Sequence, residues 1–314
     1  NHQMKHDSIC DVPGIKVGHA HDVRAKTGCT VILPTTEATA GVDVRGSAPG
    51  SREIELLHPT RKVTRVNAIL LTGGSAFGLD AAGGVQQYLE ELDIGYDTGV
   101  ARVPIVPAAV IFDLAVGDPK IRPDKKMGYQ AAKNAIPTEN SEGQIGVGIG
   151  ATVGKLAGQD NAMNGGIGSC SHFINNEIVV AFLVVVNALG NIIDPSTNRT
   201  IAGSQDKTNG GFFDPLQLLE KLAAPGFSSF SNTTLGVVAT NADLTREELT
   251  KIAQMAQDGF ARTIFPSHTQ FDGDIIFALS THTTVRVDPL LIGSISADLA
   301  AKAVIRAVEK SNQI

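Results

Sequence analysis

The stretch Ser231-Asn232-Thr233-Thr234-Leu235-Gly236-Val237-Val238-Ala239-Thr240-Asn241 decides how this chain is read. Polar residues give way to a β-branched apolar run and then to a polar stop, the pattern of a turn entering a buried strand. An Asn-Thr junction at the root of such a strand has three readings. Asn232 can simply make the turn, as Asn often does. Asn232-Thr233-Thr234 also fits the acceptor pattern for N-glycosylation. Thirdly, the chain can cut itself between Asn232 and Thr233. Thr233 then becomes a new N-terminus whose hydroxyl is a nucleophile and whose own α-amine is the base. The rest of the chain chooses among the three.

Around that stretch, 314 residues with 42% hydrophobic content can bury a large core, in one sizeable domain or two smaller ones. A formal net charge of −6 without a block of like charges argues against nucleic acid or an anionic membrane as partner. Only 18% of residues are charged, Gly numbers 33 and Trp is absent, a profile closer to a tightly packed enzyme than to an interaction scaffold. Cys10, Cys29 and Cys170 are an odd number without metal-ligand spacing, so buried thiols in a reducing, cytoplasmic setting are expected. The first ten residues are polar and hold no apolar signal core, which weakens the glycosylation reading. The longest apolar run, 178–186, is too short to span a bilayer as a helix.

Taken in order, the pattern predicts strands within 12–19, 28–33, 66–71, 105–114, 165–174, 177–187 and 275–279, besides the one that starts at Thr233. Residues 36–62 read as loop, with Gly41, Gly46, Pro49 and Gly50 among them. Helices are expected over 75–92 with Ser75 as cap, over 126–135 and 215–223, after the capping box Thr245-Arg246-Glu247-Glu248, and from Asp288-Pro289 onward. The stripe Leu291, Ile295 and Leu299 marks one face of the last helix. Residues 224–231 form a Pro/Gly/Ser-rich linker that reads as exposed and cleavable. Strands and helices interleave throughout, so one layered domain of α/β or α+β class is expected.

Several positions carry chemistry if Thr233 is the nucleophile. The tetrahedral intermediates need oxyanion donors, for which Asn187 at the mouth of a buried strand is a candidate. A cation beside the new α-amine lowers its pKa and keeps it a neutral base, and Lys155 at the end of a glycine-rich approach suits this. Asp272 and Asp274, paired at a strand root, orient and balance that cluster. Each has a plain alternative: a strand end, a surface charge, a turn or cation site. The turn Gly73-Gly74-Ser75 either holds an oxyanion on its N–H groups or gives close helix–sheet packing. The glycines of 143–158 fit neither the phosphate loop, since Leu156 follows Gly154-Lys155, nor the dinucleotide fingerprint, since Val153 stands where a third Gly belongs. No cofactor and no metal are expected, and the scattered histidines form no recognisable triad.

These motifs together resemble the DmpA-type self-processing hydrolases, which include L-aminopeptidase/D-esterases, β-peptidyl aminopeptidases and aminohexanoate-oligomer (nylon) hydrolases. The resemblance runs from Val12-Pro13-Gly14-Ile15 through Leu71-Thr72-Gly73-Gly74-Ser75-Ala76-Phe77-Gly78-Leu79 to the C-terminal helix. It implies a four-layer αββα sandwich of the DmpA and ornithine acetyltransferase kind, one domain over 1–314, cleaved into chains 1–232 and 233–314 that stay together. Through Gly154-Lys155, Val186-Asn187 and Phe271-Asp272-Gly273-Asp274-Ile275, the family likeness makes Thr233, Lys155, Asn187, Asp272 and Asp274 the catalytic set, closest to the nylon-hydrolase branch. Phe112 stands where both branches carry a Tyr. The implied activity is hydrolysis of peptides or linear non-α amides by a homo-oligomer, a tetramer of cleaved protomers. Acyl transfer to an amine and an uncleaved binding protein are the alternatives.

Overall fold

The computed structural model describes residues 5–222, 232–282 and 285–314. The linker expected at 224–231 and the end of the 215–223 helix lie outside them. Two sheets dominate, built from β1 (Ile15–Asp22), β2 (Thr27–Pro34), β3 (Ala38–Val44), β4 (Ser51–Arg52), β5 (Arg65–Val66), β6 (Ile69–Thr72), β7 (Ala108–Val110), β8 (Gly166–Ile174), β9 (Ile178–Asn187), β10 (Thr233–Thr240) and β11 (Ile275–Ser280). The first sheet has the order β1-β2-β6-β7-β4 and the second β8-β9-β10-β11-β3-β5. The helices are α1 (Ala81–Glu91), α2 (Lys125–Lys133), α3 (Pro215–Leu222), α4 (Arg246–Thr263) and α5 (Pro289–Asn312).

Three apolar layers glue these elements into the αββα sandwich. Ile32, Ile69 and Leu71 of the first sheet meet Leu183, Val237 and Phe277 of the second in a core between the sheets. Phe182, Val184 and Val238 on the other face of the second sheet pack against Ile252, Phe260, Ala300 and Val304 of α4 and α5. Val31 and Leu70 pack likewise against Val85 and Leu89 of α1. A strand covered on both faces has no solvent side to mark with polar residues, which is why all ten positions of β9 are buried and nine are apolar. The β8–β9 hairpin turns at Asn175 and Asn176, both left-handed (φ 50° and 58°), as the asparagine pair leads one to expect. The capping box of α4 forms as read, with Thr245 accepting from Glu248 N and Glu248 accepting from Thr245 N.

Four expectations are corrected. The 36–62 loop contains β3, an inner strand of the second sheet; its Ala38, Ala40 and Gly41 are too small to give a strand signal. The single strand read over 66–71 is two strands, β5 and β6, which belong to different sheets. Ser75 does not cap a helix: it opens a 3₁₀ turn, Ser75–Asp80, with φ 53°, and α1 begins only at Ala81. Leu291 of α5 is exposed, because the face turned to the sheet runs through Ile292, Ala300, Ala303 and Val304.

The placement of β10 matters most. It pairs antiparallel with β9, Val180 opposite Thr240 through Asn187 opposite Thr233, and parallel with β11, Leu235 opposite Ile275 onward. The start of β10, the start of β11 and the end of β9 therefore share one edge of the sheet. Polar residues that cap three different strands are brought to one point by strand direction alone.

Candidate active site

At that edge Thr233 is 3% exposed, and its hydroxyl donates to the Asn232 carbonyl at 2.6 Å. The same carbonyl accepts the Gly273 N–H at 2.7 Å, while Asn232 N donates to Phe271 O at 2.8 Å. This short parallel bridge carries the β10–β11 ladder back through Asn232 and Asp272. Gly273 has no side chain for a spatial reason: a Cβ there would lie 2.7 Å from both Thr233 Oγ1 and Ala48 O.

Asn187, the Cα partner of Thr233, is fully buried and uses every polar atom of its amide. Its Oδ1 accepts from Thr152 N and Lys155 Nζ, both at 3.0 Å, and its Nδ2 donates to Phe112 O at 3.0 Å. Lys155 Nζ also reaches Asn187 O at 3.2 Å, and its backbone N–H donates to Leu189 O. The ammonium head is desolvated, which lowers the lysine to about 7, while Asp272 and then Asp113 pull it upward.

Both acids are buried, Asp272 at 2% and Asp274 at 3% exposure. Asp274 Oδ1 accepts from Thr234 N at 2.8 Å, and its Oδ2 takes His268 N at 3.2 Å and His268 Nδ1 at 2.8 Å. Asp272 Oδ2 accepts from Thr269 N at 2.8 Å. Burial, and then the neighbouring Asp274, push the Asp272 carboxyl up to about 6, against the pull of the Thr269 hydrogen bonds and Lys155. The structure thus gathers all five residues read from the sequence, Thr233, Lys155, Asn187, Asp272 and Asp274. Among the described residues, no group of three or more His, Cys, Asp or Glu could hold a metal ion.

Two details differ from the sequence reading. Asn187 was expected to donate to an oxyanion, but its N–H goes to Phe112 O, and the donor at the Asn232 carbonyl is Gly273 N–H. The Gly73-Gly74-Ser75 turn is packing rather than an anion cradle: Gly73 N donates to Gly28 O, Gly74 N to Asp113 Oδ1 and Ser75 N to Ile111 O. Phe112 contributes its carbonyl, and its ring carries no hydroxyl to offer. His268, Thr269 and Asp113 had no motif to reveal them, and Gly273 stood inside the Asp272-x-Asp274 motif without a role of its own. The local turns carry His268 and Thr269 to the acids, and the join between the two sheets brings up Asp113.

Leu189, Leu219, Pro266, Thr269 and Phe271 line a largely apolar cavity of about 250 Å³ beside this cluster. Among the described residues no helix is long and apolar enough to cross a membrane. All three cysteines are free and buried, and burial pushes the Cys10 and Cys170 thiols up to about 12.

The chain matches the sequence profile of peptidase family S58 over residues 7–312. It is 40% identical to an uncharacterized aminopeptidase of Mycobacterium tuberculosis (strain ATCC 25618 / H37Rv), over 96% of this chain and 93% of the relative. It is 32% identical to a 6-aminohexanoate-oligomer endohydrolase of Kocuria sp. (strain KY2), over 95% of this chain and 85% of the relative. The fold matches the solved L-aminopeptidase D-Ala-esterase/amidase of Ochrobactrum anthropi, a variant of the Ntn-hydrolase fold. The TM-score is 0.70 at 18% identity, covering 98% of this chain and 86% of that one. A match along nearly the whole chain, on the sandwich that brings these residues to one edge, makes the protein a member of peptidase family S58 and a hydrolase of amide bonds.

Proposed function

We propose that the protein is a self-processing amidohydrolase whose nucleophile is Thr233, released as an N-terminus by cleavage of the Asn232–Thr233 bond. One observation carries the reading. The Thr233 hydroxyl rests 2.6 Å from the carbonyl oxygen of the bond to be cut, and that oxygen already accepts a buried N–H from Gly273 at 2.7 Å. In maturation, Thr233 Oγ1 adds to the Asn232 carbonyl carbon and the Gly273 N–H stabilises the oxyanion. The C–N bond then breaks, the nitrogen keeps the proton that left the hydroxyl, and an ester joins Asn232 to Thr233. Water opens the ester, giving a carboxylate at Asn232 and restoring the hydroxyl beside a free α-amine.

Turnover repeats this chemistry on a substrate amide. The α-amine takes the hydroxyl proton, an acyl-enzyme forms on Thr233, and water releases the acid. An α-amine ordinarily titrates near about 8, and the Lys155 ammonium lowers it, so the amine is neutral when it is needed. Asn187 anchors that ammonium beside Thr233 through its carboxamide and backbone oxygens. Asp272 balances the lysine charge, and Asp274 fixes the start of β10 through Thr234 N.

The substrate class is a peptide or a linear non-α amide, by likeness to the aminopeptidase and oligomer-endohydrolase relatives. The apolar cavity beside the site suits the methylene chain of the latter. Free thiols support a cytoplasmic location, and the family likeness supports a homo-oligomer of cleaved protomers, which native mass measures. Intact mass and an amide panel of short L-peptides, β-peptides and aminohexanoate oligomers test the reading. An uncleaved wild type with full amidase activity refutes self-processing, and an uncleaved, inactive chain makes this a binding protein. Faster transfer to an added amine than to water makes it an acyltransferase.

A further inference from the structure

One buried carboxylate has no role in the chemistry above. Asp113 follows β7 at the join between the two sheets and is 3% exposed. Its Oδ2 accepts the Thr27 hydroxyl at 2.7 Å and its Oδ1 accepts the Gly74 N–H at 2.8 Å. The seat is built around it: a side chain on Gly73 would collide with both Asp113 Oδ2 and Thr27 Oγ1. The residue before it, Phe112, gives its carbonyl to Asn187 Nδ2, and Asn187 in turn holds Lys155. Asp113 is thus tied by its carboxylate to the first sheet and by its backbone neighbour to the amide that holds the lysine.

We propose that Asp113 is a positioning residue for the Thr233 site, a second carboxylate that keeps Lys155 charged and locks the Phe112–Asn187–Lys155 chain in register. The inference rests on the role given to Lys155 under Proposed function. Two acidic charges favour the protonated form of the lysine, first Asp272 from the loop before β11 and then Asp113 from the first sheet. Asp272, the stronger of the two pulls, is itself faced by Asp274, whose Oδ2 pairs with His268 Nδ1, so its charge is contested and Asp113 is the second counter-ion. Burial raises Asp113 as well, against the Thr27 and Gly74 hydrogen bonds and the Lys155 charge. The Thr27 and Gly74 hydrogen bonds oppose that rise more than the lysine charge does, so the acid's seat as well as the cation favours its carboxylate form.

Asp113→Asn tests this, because an amide can still accept from Gly74 N and pair with the Thr27 hydroxyl while losing the charge. The Lys155 titration is followed by ¹³Cε NMR, with its signal assigned by its absence in Lys155→Met. We expect its midpoint to fall by about one pH unit, and the basic limb of kcat to move acidward by the same amount. Thr27→Val keeps the charge but removes a hydrogen bond that favours it, and should shift the midpoint in the same direction by less, which covers the case of an Asp113→Asn protein that does not fold. A Lys155 midpoint unmoved in the folded variants overturns the proposal, whatever happens to stability. The NMR readout does not need turnover, so a wild type that cleaves no amide refutes the function while leaving Asp113 to be judged on the lysine alone.

Discussion

Two asparagines end neighbouring strands of the second sheet at opposite edges, and in the sequence they look alike: Val186-Asn187 and Thr240-Asn241. Asn241 Oδ1 accepts from Val179 N at 2.8 Å and its Nδ2 donates to Glu177 O at 3.1 Å, so it closes the end of the adjacent hairpin and nothing more. Asn187 also uses its whole amide, but one of its partners is a buried ammonium. Charges at the Asn241 edge are wet: Asp243 is 40% exposed and Arg286 55%. Those at the Asn187 edge are dry. A polar strand end is ordinary; a polar strand end that holds a desolvated cation is the mark of a site.

The largest effect that separates the two edges is expected from Thr233→Ala, which should give a folded, full-length chain by intact mass and lower turnover by about 10⁴-fold or more. Thr233→Ser keeps a hydroxyl and should still mature. A Thr233→Ala protein that splits at this bond breaks the assignment of the active edge. Next, Lys155→Ala and Asn187→Ala should keep the fold and slow both maturation and kcat by about 10²–10³-fold. Asn241→Ala should do the reverse, costing about 1–3 kcal/mol in urea unfolding by stranding the Val179 N–H, with kcat of the folded enzyme unchanged. Equal kcat losses in Asn187→Ala and Asn241→Ala would erase the contrast.

Gly273→Ala comes third: its methyl would press on Thr233 Oγ1 and the Ala48 carbonyl, and misaligned attack should slow maturation by about 10²-fold in a time course of chain cleavage. Unchanged cleavage would mean that the loop before β11 yields freely. The mildest effect is on pH. In the proposed mechanism Lys155 acts as the cation, and its charge is lost as pH rises through about 7. In the same mechanism Asp272 acts as the carboxylate, and its charge is lost as pH falls through about 6. kcat should therefore peak between these values and fall toward about tenfold per unit on either side. A flat profile from pH 5 to 8 contradicts the buried pair.

Much of this was legible in the residues because the informative signals are local. The β-branched run after Thr233, the Asn175-Asn176 turn and the α4 capping box each announce themselves within a few positions. Asp272-x-Asp274 at a strand root and Gly154-Lys155 likewise survive as short motifs. What escaped depends on packing at long range. In β3, Gly41 lies hard against Leu249 and Thr250 of α4 while Ala38 and Ala40 face the core between the sheets, and smallness reads as loop. Whether the N–H groups of the Gly73 turn are open or engaged depends on Gly28, Ile111 and Asp113, the last of them thirty-nine positions from Gly74. The choice of Gly273 rather than Asn187 as donor to the Asn232 carbonyl depends on which of two buried N–H groups points there, and no spacing encodes it.

The parallel pairing of β10 with β11 and its antiparallel pairing with β9 have a consequence for assembly. A chain cut before Thr233 would gain an end clamped on both flanks by backbone ladders, so Thr233 would stay where folding put it. The piece beginning at Thr233 holds two inner strands of the second sheet and both helices that cover it, and neither piece alone can bury the faces the other supplies. Under the proposed self-processing, the Asn232–Thr233 bond is scaffolding in the builder's sense, required while the structure goes up and removable once it stands. Two separately expressed halves should fail to reach the active state that one continuous precursor reaches by itself.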